Sequence, residues 1–423
     1  MENERKQRMI AAAVCCGDGS GTEKSLDELN SLVDTAGGEV VCVVLQNRES
    51  PDNRTYLGSG KAAELAEVIK NDGDIDAVVF DNELTPSQIR NLEDLIGVDV
   101  IDRTMLILDI FAQHASTNEG KLQVEIACLR YTAPRLIGKG KSLSRQGGGI
   151  GTRGPGESKL ETDRRHIKRR IAALEEELKK IETTRTVQRQ SRDRKVIPSV
   201  SIVGYTNSGK STLLNKLTGA GVLAENKLFA TLDPTVRILE LPGGTSALLS
   251  DTVGFIDRLP HHLVKAFKST LDELKYADLL LITVDMSDSA DERARKREVT
   301  EKLISELCGE EKEKILIYNK EDLLSEAEKN SESNFTEKDS VCISAKNGDG
   351  INALLEKIEQ KLGAGKTVEQ FIFPFAEIGE SAVLRKNSEI INEEYTGDGL
   401  KILAKCDKKT LGRLKKYAVT PKS

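Results

Sequence analysis

Residues 202–212 read Ile-Val-Gly-Tyr-Thr-Asn-Ser-Gly-Lys-Ser-Thr, and Gly204 to Ser211 have the form G-x-x-x-x-G-K-S. An apolar run, Val196–Val203, precedes the motif and reads as a buried strand. Leu213, Leu214 and Leu217 follow at helical spacing. Strand, loop and helix in that order are the context a phosphate loop requires. Its glycines let the backbone wrap closely around phosphate oxygens. The exposed N–H groups and the helix N-terminus supply a positive end. Lys210 is placed to reach the β/γ-phosphates, and the Ser211 hydroxyl can ligate Mg²⁺. Gly204, Tyr205, Thr206, Asn207, Ser208, Gly209, Lys210, Ser211 and Thr212 are therefore the first group of nucleotide contacts.

Further motifs follow in a fixed order. Phe229, Ala230, Thr231, Leu232 and Asp233 lead to Pro234-Thr235, a loop of the kind that closes on Mg²⁺ and a γ-phosphate. Thr231 and Thr235 are both candidates for that contact, and Thr231 is preferred. Residues 246–250 are strand-like and run into Asp251, Thr252, Val253 and Gly254. An acid at a strand end serves Mg²⁺, often through water, and the glycine N–H can sense the γ-phosphate. Lys210, Thr231 and Gly254 are thus the expected catalytic groups, with Ser211 and Thr231 on the metal.

Leu279–Val284 and Ile315–Tyr318 read as strands. The second ends in Asn319, Lys320, Glu321 and Asp322. The Asp322 carboxylate can accept from N1–H and the exocyclic amine of guanine, a pair that adenine does not offer. Val341–Lys346 reads as a strand whose end, Ser344, Ala345 and Lys346, supports the base through backbone N–H groups. Each tetrad alone is common; their order and spacing together point to GTP.

The chain around this centre has 423 residues, enough for about three domains. Alternation of Met9–Cys16, helical residues 24–36, Val40–Leu45, Lys61–Lys70, Ala77–Phe80, Thr85–Leu95, Val98–Ile101 and Asp102–Ala115 predicts a small α/β domain with a mostly parallel sheet over 1–115. Gly58-Ser-Gly-Lys61 is a poor second phosphate loop, because Thr55 stands where a glycine is needed and Ala62 where a hydroxyl is needed; a tight turn into a helix is the better reading. His114 has no partner at metal-ligand spacing.

Residues 116–195 read as an antiparallel helical hairpin. Leu122, Ile126 and Leu129 line one helix, and Ile167, Ile171, Leu174, Leu178 and Ile181 form a heptad seam on the other. Ser158 and Glu161 form a capping box at the start of the second helix. The connecting loop is glycine-rich. Residues 135–170 carry 11 Lys/Arg against 3 Asp/Glu, in a chain whose net charge is −6. Arg164, Arg165, Lys168, Arg169 and Arg170 lie on the helix leaving the loop, so this arm suits nucleic-acid phosphates; a solvated linker is the bland alternative. With few aromatics, it suits the backbone and shape of folded RNA.

After a GTPase domain at 196–363, residues 364–423 predict a small α+β appendage. Phe371–Phe375 reads as an exposed aromatic strand, Ala382–Leu384, Ile390–Ile391 and Leu400–Ala404 as short strands, and Thr410–Tyr417 as a helix. Lys408, Lys409, Arg413, Lys415 and Lys416 read as a solvated face. Seven cysteines without C-x-x-C spacing fit reduced thiols in a cytosol. No signal-peptide pattern or apolar run long enough to span a bilayer is present, so the chain is expected to be cytoplasmic with no membrane insertion.

Taken with Gly-Pro-Gly-Glu-Ser-Lys-Leu-Glu-Thr-Asp-Arg-Arg at 154–165, the five motifs resemble those of the Obg–HflX group of translation-factor-related GTPases, and the HflX branch in particular. The resemblance implies a Mg²⁺-dependent GTPase, monomeric when free, that binds the large ribosomal subunit and rRNA and splits or rescues stalled ribosomes. The alternative is a GTP-gated RNA-binding factor in large-subunit assembly. Phe255 stands where many GTPases have a water-orienting Gln, so slow hydrolysis stimulated by ribosomes is expected. Asn207 matches a position that ligates K⁺ in related GTPases, which makes K⁺ a second candidate cofactor.

Overall fold

The computed structural model describes residues 5–16, 20–135, 155–193, 197–219, 228–229, 235–258, 274–309, 312–325, 328, 337, 339–363 and 366–419. The chain divides into two compact units.

The first unit opens with the expected α/β alternation: β1 (Gln7–Cys15), α1 (Ser20–Thr35), β2 (Gly38–Asn47), α2 (Ser59–Asp72), β3 (Ala77–Phe80), α3 (Pro86–Ile96), β4 (Asp99–Asp102) and α4 (Arg103–His114). The four strands pair in parallel in the order β2-β1-β3-β4. Both faces of β3 are buried, which is why Ala77–Phe80 reads as an unbroken apolar run. Gly58 caps α2 and its N–H donates to Gln46 Oε1 at 2.8 Å, while Lys61 pairs with Glu64. That glycine stretch is a turn into a helix. The ring Nδ1 of His114 lies 2.8 Å from the Ile110 carbonyl one turn back on its own helix.

The same unit contains α5 (Asn118–Thr132) and the start of the long α6 (Pro155–Asp193). Leu122, Ile126 and Leu174 are buried together, with Leu129, Ile171, Leu178 and Ile181 packed around them. The heptad seam is therefore a packing face. Arg170 pairs with Glu125 and Arg130 with Glu175 along its border. Arg164, Arg165, Lys168 and Arg169 are exposed. At the far end of α5, buried Asp102 caps α4 through Met105 N–H and also accepts from Tyr131 Oη and Arg135 Nη2. The Arg135 guanidinium lies 3.9 Å from the Tyr131 ring centre. Burial, with the Asp102 charge beside it, pushes the Tyr131 phenol far above its ordinary range, so the hydroxyl is a fixed donor. Residues 136–154 of the glycine-rich loop lie outside the described residues, whereas the expected capping box needs correction: α6 already begins at Pro155, so Ser158 and Glu161 lie inside the helix and not at its start.

The second unit holds a six-stranded sheet in the order β10-β9-β8-β5-β7-β6. Its strands are β5 (Ser199–Gly204), β6 (Thr235–Glu240), β7 (Ser246–Asp251), β8 (Leu279–Asp285), β9 (Lys314–Asn319) and β10 (Ser340–Cys342). Only the β6–β7 pair is antiparallel. Helices α7 (Lys210–Thr218), α8 (Ala290–Cys308) and α9 (Ile351–Gly363) accompany it among the described residues. Leu213 and Leu214 of α7 are fully buried against β5, β7 and β8 residues. Burial of each contributes about 2 kcal/mol.

The C-terminal part of this unit is a four-stranded antiparallel sheet, β12-β13-β11-β14, from β11 (Lys366–Phe373), β12 (Glu389–Thr396), β13 (Gly399–Asp407) and β14 (Ala418–Val419). Two readings need correction. Ala382–Leu384 lies in helix α10 (Ser381–Asn387) and is not a strand. Phe371 and Phe373 are fully buried, one strand period apart, and only Phe375 is exposed. Thr410–Tyr417 is helical in two pieces, α11 (Lys408–Arg413) and a 3₁₀ turn at Lys415–Tyr417.

Candidate nucleotide site

The centre of the second unit is the turn from β5 into α7. Gly204 ends β5 with its backbone against β8: a Cβ there would lie 2.5 Å from the Thr283 carbonyl oxygen. Gly209 begins the helix at φ +89°, and a Cβ would meet the Asn319 amide at 2.2 Å. The loop between them is thus held close to β8 and β9, and only glycine fits at either end. Ser208 Oγ lies 2.6 Å from Thr283 Oγ1 and braces the loop from below. Sequence pattern does not single out Thr283; its one trace there is a polar residue within the apolar run Leu279–Val284.

The Lys210 amine is buried and donates to the Tyr205 carbonyl at 2.7 Å. Burial lowers its pKa from 10.5 to about 8, against the pull of the Asp251 carboxylate and with a small push from Lys320. Ser211 Oγ donates to Asp251 Oδ2 at 2.7 Å. A hydroxyl and a carboxylate side by side are hard oxygen donors of the kind Mg²⁺ takes. Ser211 and Asp251 are therefore the residues that would hold Mg²⁺, which would neutralise phosphate charge. Thr231, with Ala230, Leu232 and Asp233, lies outside the described residues, and Phe229 is described.

The Asp251–Gly254 segment runs back along the loop. Thr252 Oγ1 donates to Ile202 O at 2.7 Å. Phe255 forms a bridge with Tyr205: Thr206 N–H donates to Phe255 O at 2.7 Å, and Phe255 N–H donates to Gly204 O at 3.0 Å. The Phe255 side chain is buried. A Cβ on Gly254 would lie 2.9 Å from Thr206 Cα and 3.0 Å from Lys210 Nζ, so this glycine rests directly on the phosphate loop.

At the other end, Asn319 Nδ2 donates to Ser208 O at 2.9 Å and Asn319 Oδ1 accepts from Ala345 N–H at 3.0 Å. One side chain thereby joins the phosphate loop to the Ser344–Lys346 turn. Ser344 Oγ donates to Asp322 Oδ1 at 2.6 Å and fixes one oxygen of that carboxylate. Lys320 sits at φ +68°, its amine 2.6 Å from Asp285 Oδ2. Asp285 is a second supporting residue that sequence pattern does not reveal.

Residues 199–320 match the family described as "50S ribosome-binding GTPase", residues 23–112 "GTP-binding GTPase N-terminal", and residues 114–192 "GTP-binding GTPase Middle Region". The GTPase HflX of Caldanaerobacter subterraneus subsp. tengcongensis is 47% identical over 98% of this chain and 94% of its own. The chain belongs to the HflX family of GTPases. The Escherichia coli GTPase HflX is 46% identical over 80% of this chain and 79% of its own. Among solved structures, a GTP-binding protein from Sulfolobus solfataricus in complex with GDP is 27% identical, with a TM-score of 0.44 over 84% of this chain and 98% of that one. As an HflX-family GTPase, the protein hydrolyses GTP to GDP and phosphate. Among the described residues no helix is long and apolar enough to cross a membrane.

Proposed function

We propose that this GTPase binds the large ribosomal subunit in its GTP-loaded state, contacts rRNA through the basic arm, and splits or rescues stalled ribosomes. The observation that carries the reading is the exposed row Arg164, Arg165, Lys168 and Arg169 on α6, in a chain that is acidic overall. Such a row favours a polyphosphate partner. The "50S ribosome-binding" description of the matched family supports a ribosomal one. In this reading the protein works in the cytoplasm as a monomer when free.

The site roles follow the geometry. Lys210 and the loop N–H groups hold the phosphates, Ser211 and Asp251 serve Mg²⁺, Gly254 senses the γ-phosphate, and Asn319 and Asp322 select guanine. Phe255 has no hydrogen-bonding side chain to orient the attacking water. Hydrolysis is therefore slow in the free protein and is completed by the ribosome. Incubating the chain and a non-hydrolysable GTP analogue with intact ribosomes tests this. The expected sucrose gradient has fewer intact ribosomes and more free subunits. An unchanged gradient, with precursor subunits accumulating when the protein is removed from cells, would favour the assembly role.

Asn207 is exposed on the phosphate loop, at φ +60°. K⁺ held there would supply positive charge near the β- and γ-phosphates. Turnover in KCl is expected to exceed turnover in NaCl several-fold, with ribosomes present. Equal rates would remove K⁺ from the account.

A further inference from the structure

Thr206, Ser208 and Ser211 place three aliphatic hydroxyls in the phosphate loop. Two are engaged. Ser208 Oγ lies 2.6 Å from Thr283 Oγ1, and Ser211 Oγ donates to Asp251. The third is not. Thr206 is 6% exposed, and its Oγ1 is buried without a hydrogen-bond partner among the described residues. Buried polar side-chain atoms in native proteins are nearly always paired, so an exception calls for a reason. Leaving a buried hydroxyl unpaired forfeits the bonds it made to water and gains none in return. Packing gives no such reason, since valine has the same shape and no hydroxyl to bury.

The backbone of Thr206 is already spoken for. Its N–H donates to Phe255 O at 2.7 Å, so it does not join the loop N–H groups that face a phosphate. The hydroxyl is the one donor the residue has left. Its surroundings name the group it would meet. A Cβ built on Gly254 would lie 2.9 Å from both Thr206 Cα and Thr206 Cγ2, and 3.0 Å from Lys210 Nζ. The Thr206 side chain, the Gly254 backbone and the Lys210 amine thus converge on one spot. A γ-phosphate that meets both Lys210 and the Gly254 N–H lies against Thr206.

We propose that the Thr206 hydroxyl donates a hydrogen bond to a γ-phosphate oxygen and is a specificity-determining residue that favours GTP over GDP. The proposal deepens the reading of the site as one for GTP and rests on it. GDP lacks the acceptor and leaves the hydroxyl unpaired. GTP supplies a charged one, and hydrogen bonds to charged groups are the stronger kind.

The test uses the full chain as wild type, Thr206→Val and Thr206→Ser, titrated with fluorescent GDP and with a non-hydrolysable GTP analogue. Thr206→Val keeps the shape and removes the hydroxyl. It is expected to bind the analogue about 10-fold more weakly, with GDP affinity unchanged. Thr206→Ser keeps the hydroxyl and should hold the wild-type ratio of analogue to GDP affinity. Thermal unfolding of nucleotide-free Thr206→Val should come no earlier than that of wild type, because no bond within the protein is lost. An unchanged analogue-to-GDP ratio in Thr206→Val, a ratio that falls equally in Thr206→Ser, or earlier unfolding of Thr206→Val without nucleotide overturns the proposal. Failure of the wild type to bind either nucleotide would instead overturn the site reading beneath it.

Discussion

Lys210→Met is expected to weaken nucleotide binding severely while making the nucleotide-free protein more stable at neutral pH. The amine is buried in the phosphate loop, where its charge meets one carbonyl and a partly compensating Asp251. Its pKa falls from 10.5 to about 8 on folding. Below pH 8 both folded and unfolded chains carry the proton, and the folded state bears the full cost of a buried cation. Between about pH 8 and 10.5 the unfolded chain holds more protons, so this group's contribution to stability rises with pH across that window. Methionine keeps the length and removes the charge. The gain at pH 7 is at most about 3–4 kcal/mol, since each tenfold difference in proton affinity is worth about 1.36 kcal/mol. It should shrink as pH passes from 8 to 10.5. Loss of a charged phosphate contact should weaken GTP binding on the order of 10²–10³-fold. Thermal unfolding of the two proteins at pH 7 and pH 10, beside nucleotide titration, checks both halves. A variant that is less stable than wild type at pH 7 would contradict the assignment of burial as the dominant influence on Lys210.

Asp322→Asn should exchange the base that the site accepts. Ser344 Oγ fixes one oxygen of the carboxylate, and Asn319 ties the neighbouring backbone to the phosphate loop, so the group is held before a base arrives. Guanine offers N1–H and an exocyclic amine, both donors, to a charged acceptor. An amide cannot accept both, and its NH₂ meets the amine as donor against donor. Two hydrogen bonds to a charged group are each worth about 1.5–3 kcal/mol. GTP affinity should therefore fall roughly 10²–10⁴-fold. Xanthine carries a carbonyl in place of the amine, so XTP binding should rise in the variant. Competition between GTP and XTP for the wild-type and variant chains measures this. Equal preference for GTP in both would place the base elsewhere.

Much of the site can be read from residue order, because phosphate-loop chemistry is local. Gly204, Gly209, Lys210 and Ser211 lie within eight positions, and their strand and helix have their own periodicities. The supports are harder to see. Thr283 and Asp285 act through contacts that span dozens of residues. No local pattern marks such pairs. Ala382–Leu384 misleads for a different reason: three apolar residues cannot distinguish a period of two from one of 3.6. Phe371 and Phe373 look like surface residues when aromatic content is weighed over alternation, whereas their spacing puts both on the buried face of β11. Domain edges at 115, 195 and 363 follow motif content. The compact units divide the chain differently, since two stretches of the GTPase-motif region join the first.

The central claim is that the γ-phosphate decides whether this GTPase engages the ribosome. Co-sedimentation of the full chain with purified large subunits, in the presence of a non-hydrolysable GTP analogue, GDP or no nucleotide, tests it most directly. Retention with the analogue and little with GDP or an empty site is the predicted result. Equal retention under all three conditions would contradict the account.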